Sequence, residues 1–193
     1  RSLRADLSIP ESVPLIGFFG RFMGQKGFRT LVESIDLMKK RNEENRPLPV
    51  VVTFGLGGYV REDYAYLESL GLGDQFIQMP GTDDMPAMIK AMDMVVMPSR
   101  WEACGLLGME VLAAGVPLIS TDCIGLREIV AGSPARIFSP GDAGGLAELI
   151  TKEIHKPTKE AFIRYQPEAV ERFAITRPAE SLRTLYCGLS GGH

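Results

Sequence analysis

Six short apolar runs constrain this chain more than any other feature. They lie at Pro14–Gly20, Leu48–Phe54, Gln75–Met79, Asp93–Pro98, Pro117–Thr121 and Ala135–Phe138, each of strand length and bounded by Gly, Pro or Asp. Between them apolar residues recur at helical spacing: Leu31, Ile35 and Met38; Tyr64, Leu67 and Leu70; Met85, Met88 and Ile89; Met109, Leu112 and Ala113. Alternation of this kind predicts parallel strands joined by right-handed crossovers through helices. Runs such as MVVMP and PLIS carry no polar alternation, so both faces of the sheet must be covered. The expected fold class is α/β, a Rossmann-like doubly wound parallel sheet of about six strands. From Ala143 onward the pattern is helical only, interrupted by Pro157, Pro167 and Pro178. It predicts two or three C-terminal helices wrapping the sheet, with Ser190–His193 as a disordered end.

With 193 residues, 45% of them hydrophobic, the chain has the size of one domain around one core. A net charge of −3 and a pI near 5.5 exclude a general nucleic-acid surface, which needs a clustered basic face. Any anion site is therefore local. The three cysteines, Cys104, Cys123 and Cys187, are widely spaced and include no CxxC pair, which suggests neither a disulfide framework nor a structural zinc site. A reducing cytoplasm fits that usage. No apolar run reaches the roughly 18 residues of a transmembrane helix, and no leader pattern is visible. The start at Arg1, without a methionine, suggests a piece of a longer protein.

In an open α/β sheet, ligands bind beyond the carboxyl ends of the strands, where loops lead into helix N-termini. Three such loops carry polar chemistry. After the first strand the chain reads Gly20-Arg21-Phe22-Met23-Gly24-Gln25-Lys26-Gly27. A guanidinium can fork two phosphate oxygens while a lysine serves as a mobile point charge, so Arg21 and Lys26 suit a diphosphate. Two solvated basic residues around an ordinary turn are the structural alternative. After the second strand, Gly55-Leu56-Gly57-Gly58 forms a turn that could lie under a nucleoside.

The stretch after the fourth strand, Pro98-Ser99-Arg100-Trp101-Glu102-Ala103-Cys104-Gly105-Leu106-Leu107-Gly108-Met109-Glu110, is the most informative. Amides of Gly105 to Leu107, at a helix start, are expected to point at an anion. Glu102 precedes that helix and is expected to face an open cleft. Glu110 falls about one and a half turns into it, where a carboxylate can bridge a ribose diol; an exposed helix-surface glutamate is the alternative. Cys104 has no histidine placed to activate it and is expected to fill tight space. Trp101 is expected to pack beside the loop, and His155 and His193 look non-catalytic.

GRFMGQKG, then PSRWEACGLLGMEVLAAGVPLIS, then GLREIV, spanning roughly Val13 to Ile150, closely resemble the C-terminal domain of family-four (group 1) retaining glycosyltransferases. A secondary similarity is to glycogen and starch synthases, whose Cys-Gly-Leu version of the loop this chain shares. The resemblance implies one half of a GT-B fold. Arg21 and Lys26 match the pair that neutralises the donor's diphosphate, Glu102 the glutamate on the donor sugar, and Glu110 the ribose glutamate. Cys104, Gly105 and Leu106 match the loop touching sugar hydroxyls and phosphate. Gly20 and Gly55 join the donor site, and Gly81, in Pro80-Gly81-Thr82, matches the place where the base is held.

The implied function is donor binding in a retaining transferase that moves a hexose from a nucleotide sugar to an acceptor hydroxyl, with no metal or other cofactor. Residues 1–12 are read as a linker from a missing N-terminal domain, 13–155 as the nucleotide-sugar-binding domain and 156–193 as C-terminal helices and tail. The missing domain would supply the acceptor site and any membrane contact; the isolated chain would be inactive. A non-catalytic sugar-nucleotide-binding or assembly module is the alternative. A dinucleotide-dependent oxidoreductase is disfavoured, since no G-x-G-x-x-G follows the first strand.

Overall fold

The computed structural model describes residues 3–42 and 47–190. The six apolar runs become β1 (Leu15–Phe19), β2 (Val50–Phe54), β3 (Phe76–Met79), β4 (Met94–Met97), β5 (Leu118–Thr121) and β6 (Arg136–Phe138). They form one all-parallel sheet in the order β3-β2-β1-β4-β5-β6. The order reverses between β1 and β4, which makes the gap between their carboxyl ends the topological switch point.

The four inner strands β2, β1, β4 and β5 bury both faces, as their lack of polar alternation requires, whereas the edge strands leave Gln78 of β3 and Ile137 of β6 exposed. In β1, Leu15 and Phe19 face one layer while Ile16 and Phe18 face the other; β4 divides likewise, Val95 and Met97 against Met94 and Val96. The first layer is completed by α4 (Met85–Lys90), α5 (Leu106–Ala114), α6 (Arg127–Val130) and α8 (Lys159–Arg172). The second is completed by α2 (Phe28–Lys40), α3 (Val60–Ser69) and α7 (Ala143–His155). Two helix starts carry side-chain caps: Asp84 accepts from the Ala87 N–H at 3.1 Å and Asp142 from the Gly145 N–H at 2.8 Å. Glu153, buried in α7, is satisfied by Arg136 Nε at 2.7 Å and by the Thr158 N–H at 2.7 Å, which ties the β6 edge to the α7–α8 turn.

Of the two or three C-terminal helices expected to wrap the sheet, two do so: among the last three only α7 and α8 pack on the body. Every described side chain of α9 (Thr176–Ser190) is exposed, including Leu182, Leu185, Tyr186 and Leu189. Residues 191–193 of the expected disordered end lie outside the described residues. In the segment read as a linker, Leu3–Asp6 form a short helix, α1, whose Arg4 is anchored to the body. Its guanidinium pairs with Asp93 and donates to the Val13 carbonyl at 2.9 Å, while Asp93 also accepts from the Leu15 N–H at 2.7 Å.

Aromatic packing positions the loop after β1. Phe22, in the middle of that loop, is fully buried. It lies edge-on to Phe28 at 4.9 Å between centroids and tilted against Phe18 and Tyr64 at 5.9 Å each. Tyr64 is held by a 2.7 Å hydrogen bond with Thr53 Oγ1. A buried ring at Phe22 turns its neighbour Arg21 outward, so the loop is pinned by its centre and its cation is presented to solvent. Phe22→Ala is expected to destabilise the chain by about 3–5 kcal/mol, the usual cost of deleting a core phenylalanine. Urea unfolding checks this, and a loss below about 1 kcal/mol would mean the ring is not an anchor.

Candidate functional site

The loops after β1, β2, β4 and β5 meet at the switch point. Met23 leads into a single 3-10 turn, Gly24–Lys26, and Gly27 with φ 69° opens α2. Gly27 has to be glycine for a second reason: a Cβ there would come within 1.9 Å of the Pro98 carbonyl oxygen. The β1 and β4 loops touch through their backbones and stay together by hydrogen bonds. The Arg100 N–H donates to the Gln25 carbonyl at 2.8 Å, and Gln25 Nε2 donates to the Trp101 carbonyl at 3.0 Å.

That contact brings Lys26 to Glu102. Lys26 Nζ donates to both carboxylate oxygens, at 2.7 and 2.8 Å, and Ser99 Oγ donates to Oε1 at 2.6 Å. Glu102 is only 6% exposed, so it does not face an open cleft as expected. A carboxylate taken out of water must be paired, and Lys26 with Ser99 supplies the pairing. The β5 loop completes the enclosure: the Glu102 N–H donates to Ile124 O at 2.8 Å and the Gly105 N–H to Gly125 O at 3.1 Å. Gly125, at φ 82°, lies so close that a Cβ would stand 2.0 Å from the Glu102 carbonyl oxygen. Ser99, Thr121 and Ile124 were not singled out from the sequence, and Gly125 entered only as the first residue of GLREIV, without a role of its own.

The remaining expected residues take varied positions. Arg21 is exposed and makes no hydrogen bond or ion pair with another described residue. The Gly20 N–H donates to Phe54 O at 2.9 Å, and Gly55 lies against the Gly20 carbonyl, joining the β1 and β2 loops. Gly81 is exposed beyond β3, three strand spacings or about 14 Å across the sheet from β4. Glu110 is exposed on α5, where with Lys90 and Met85 it lines an open groove of about 300 Å³ between α4 and α5. A larger groove, about 590 Å³ between α2 and α7, lies at the opposite end of the sheet and contains none of the expected residues.

Local chemistry corrects two further points. The Gly105 N–H is committed to Gly125 and the Leu106 N–H to Cys104 O at 2.8 Å, so of those three amides only that of Leu107 makes no backbone hydrogen bond. The Leu106 side chain is 60% exposed. Cys104 is exposed rather than filling tight space, and Trp101 stands 52% exposed on the same loop. Cys123 is the buried thiol, and burial pushes its pKa up, partly offset by a hydrogen bond with Thr121. No group of three or more His, Cys, Asp or Glu able to hold a metal occurs among the described residues, and no helix among them is long and apolar enough to cross a membrane.

Thiolate is the reactive form, so raising a thiol's pKa and burying it both slow alkylation. With iodoacetamide at pH 8, Cys104 and Cys187 are expected to react quickly and Cys123 only on unfolding. Peptide mass mapping reads the order, and rapid labelling of Cys123 in the native state would contradict its burial.

Comparisons with known proteins bear on the family and the fold. The family model described as glycosyl transferases group 1 matches residues 1–169. D-inositol 3-phosphate glycosyltransferase of Corynebacterium urealyticum is 28% identical over 197 residues, covering 96% of this chain and 46% of its own length. The 2-deoxystreptamine N-acetyl-D-glucosaminyltransferase of Streptomyces fradiae is 29% identical, with 86% and 42% covered. Among solved structures, Anabaena HepE in complex with UDP and glucose is similar with a TM-score of 0.81 at 25% identity, covering 94% of this chain and 51% of that one. Sucrose-phosphate synthase of Thermosynechococcus elongatus gives 0.85 at 25% identity, with 98% and 49% covered. The chain spans about half the length of these relatives. Its all-parallel sheet, its switch-point loops and the family match together place it in the group 1 glycosyl transferase family.

Proposed function

We propose that this chain is the donor-binding half of a retaining glycosyltransferase that transfers a hexose from a nucleoside-diphosphate sugar to an acceptor hydroxyl. The observation that carries the reading is the cation arrangement at the switch point: an exposed Arg21 with no partner among the described residues, on a loop whose other cation, Lys26, sits on buried Glu102. Anions are drawn to such loops because guanidinium and ammonium donors lie beside a helix N-terminus. The stretch from Gly81 past Gly55 and Gly20 to Glu102 crosses the sheet edge, room for a base, ribose and diphosphate laid end to end. The similarity to HepE, a protein solved in complex with UDP and glucose, supports that assignment of ligand class.

In this reading the bond between the anomeric carbon and the diphosphate breaks, and the acceptor oxygen forms its bond on the same face. Negative charge collects on the departing phosphate, where Arg21 and Lys26 stabilise it electrostatically without a metal. The phosphate oxygen takes the acceptor's proton. Cys104, Gly105 and Leu106 border the sugar, Glu102 accepts from its hydroxyls and Glu110 bridges the ribose diol. The acceptor site belongs to the half of the longer protein absent here, and the two halves close over the donor in the cytoplasm.

Arg21 is the cleanest probe, because it has no described partner whose loss would confuse the result. Arg21→Ala is expected to weaken the best of UDP, GDP and ADP by about 1.5–3 kcal/mol, the worth of a charge-assisted hydrogen bond. Glu110→Gln is expected to weaken the free diphosphate and its sugar conjugate alike, since ribose is common to both. Calorimetry on the 193-residue chain measures each, and affinities equal to wild type in both variants would sink the assignment. The same chain is expected to bind donor without transferring sugar; turnover by it alone would show that the second half is not required.

A further inference from the structure

Ser99 decides where the Glu102 carboxylate sits. Its side chain is buried, and its backbone is fixed from two sides. The Ser99 carbonyl accepts from Thr121 Oγ1 at 2.6 Å, and the adjoining Arg100 N–H is held by Gln25 O at 2.8 Å. A serine held this way can offer its proton in one direction, and it goes to Glu102 Oε1 at 2.6 Å, a short charge-assisted bond. The two carboxylate oxygens are therefore not equivalent. Oε1 is shared by Ser99 and Lys26, whereas the only side-chain donor to Oε2 among the described residues is Lys26.

This asymmetry sets a competition. While the site is empty, Lys26 is neutralised by Glu102, and an arriving diphosphate must draw it away. When Lys26 leaves, Oε1 keeps its serine and Oε2 is vacated, ready to accept a hydroxyl in its place. We propose that Ser99 is a positioning residue: it holds Glu102 on Lys26 in the empty site and, once a diphosphate takes Lys26, keeps the freed carboxylate aimed at the donor sugar. The proposal rests on the donor-binding reading above. Ser99 thus acts in opposite senses on the two parts of the donor, restraining the diphosphate and favouring the sugar.

The opposite signs make the test. Calorimetry on the 193-residue chain would compare UDP with UDP-glucose for wild type, Ser99→Ala and Ser99→Thr; GDP or ADP and their glucose conjugates replace them if bound more tightly. Ser99→Ala is expected to tighten the free diphosphate about two- to fivefold, part of the worth of one hydrogen bond, and to shrink the sugar conjugate's advantage by at least as much. Ser99→Thr keeps the hydroxyl and is expected to restore both. Parallel weakening of the two ligands by Ser99→Ala, or no change in either, overturns the proposal. If melting shows that Ser99→Ala is unfolded, Glu102→Gln decides in its place, and diphosphate binding no tighter than wild type overturns it. Failure of wild type to bind any of the three diphosphates instead refutes the donor-binding reading, and this proposal with it.

Discussion

The loops that leave β1 and β4 come into backbone contact at the point where strand order reverses, and the rest of the site depends on that approach. It is possible because Gly27 presents no side chain to the Pro98 carbonyl and adopts a left-handed conformation that opens α2. With the backbones this close, Lys26 reaches a glutamate 76 residues along the chain and engages both of its oxygens. Burial of an ion pair is poor evidence for stability, since desolvation offsets most of the attraction. A pair kept at the switch point, with a serine supporting one oxygen, is better explained by what it does when a ligand arrives.

The loops are rigid for a separate reason. Phe22 fills a socket made by Phe18, Phe28 and Tyr64, and that aromatic packing extends through Phe28 to Phe76 on β3. The polar part of the β1 loop is thereby mounted on the hydrophobic layer beneath it, and Arg21 is left outside as the complement of burying its neighbour. The β4 loop is braced instead by hydrogen bonds to β5 and its loop, through Thr121, Ile124 and Gly125. Apolar packing on one side and hydrogen bonding on the other brace the two loops that carry the site's charged groups.

The molecule's surface bears on the proposed role as one half of a longer transferase. α9 carries Leu182, Leu185, Tyr186 and Leu189 in the open, and the family relatives are about twice as long. The exposed Trp101, Leu106 and Ile124 rim the same loops that enclose Glu102. Apolar groups gathered around a polar site keep water at its edge once the site is covered, and electrostatic contacts within it then gain strength.

Much of this was legible in the linear chain. The six strands, their parallel order of connection and the covering of both faces follow from apolar runs without polar alternation, separated by segments of helical period. The location of the polar loops also follows, because strands in such a sheet deliver their carboxyl ends to one edge. Residue type and spacing marked Arg21, Lys26, Glu102 and Glu110 as charged groups on that edge. What the linear chain could not contain is which of them meet. Lys26 and Glu102 pair, Arg21 has no partner among the described residues, and the Gly105 amide is spent on Gly125 because of the register and depth at which separate loops pack. The exposure of Cys104 and Trp101, the burial of Cys123 and the free face of α9 were settled in the same way. Local periodicity encodes how each segment folds. Contacts between segments depend on close packing and on satisfying every buried polar group at once, and those conditions exist only when the tertiary structure has formed.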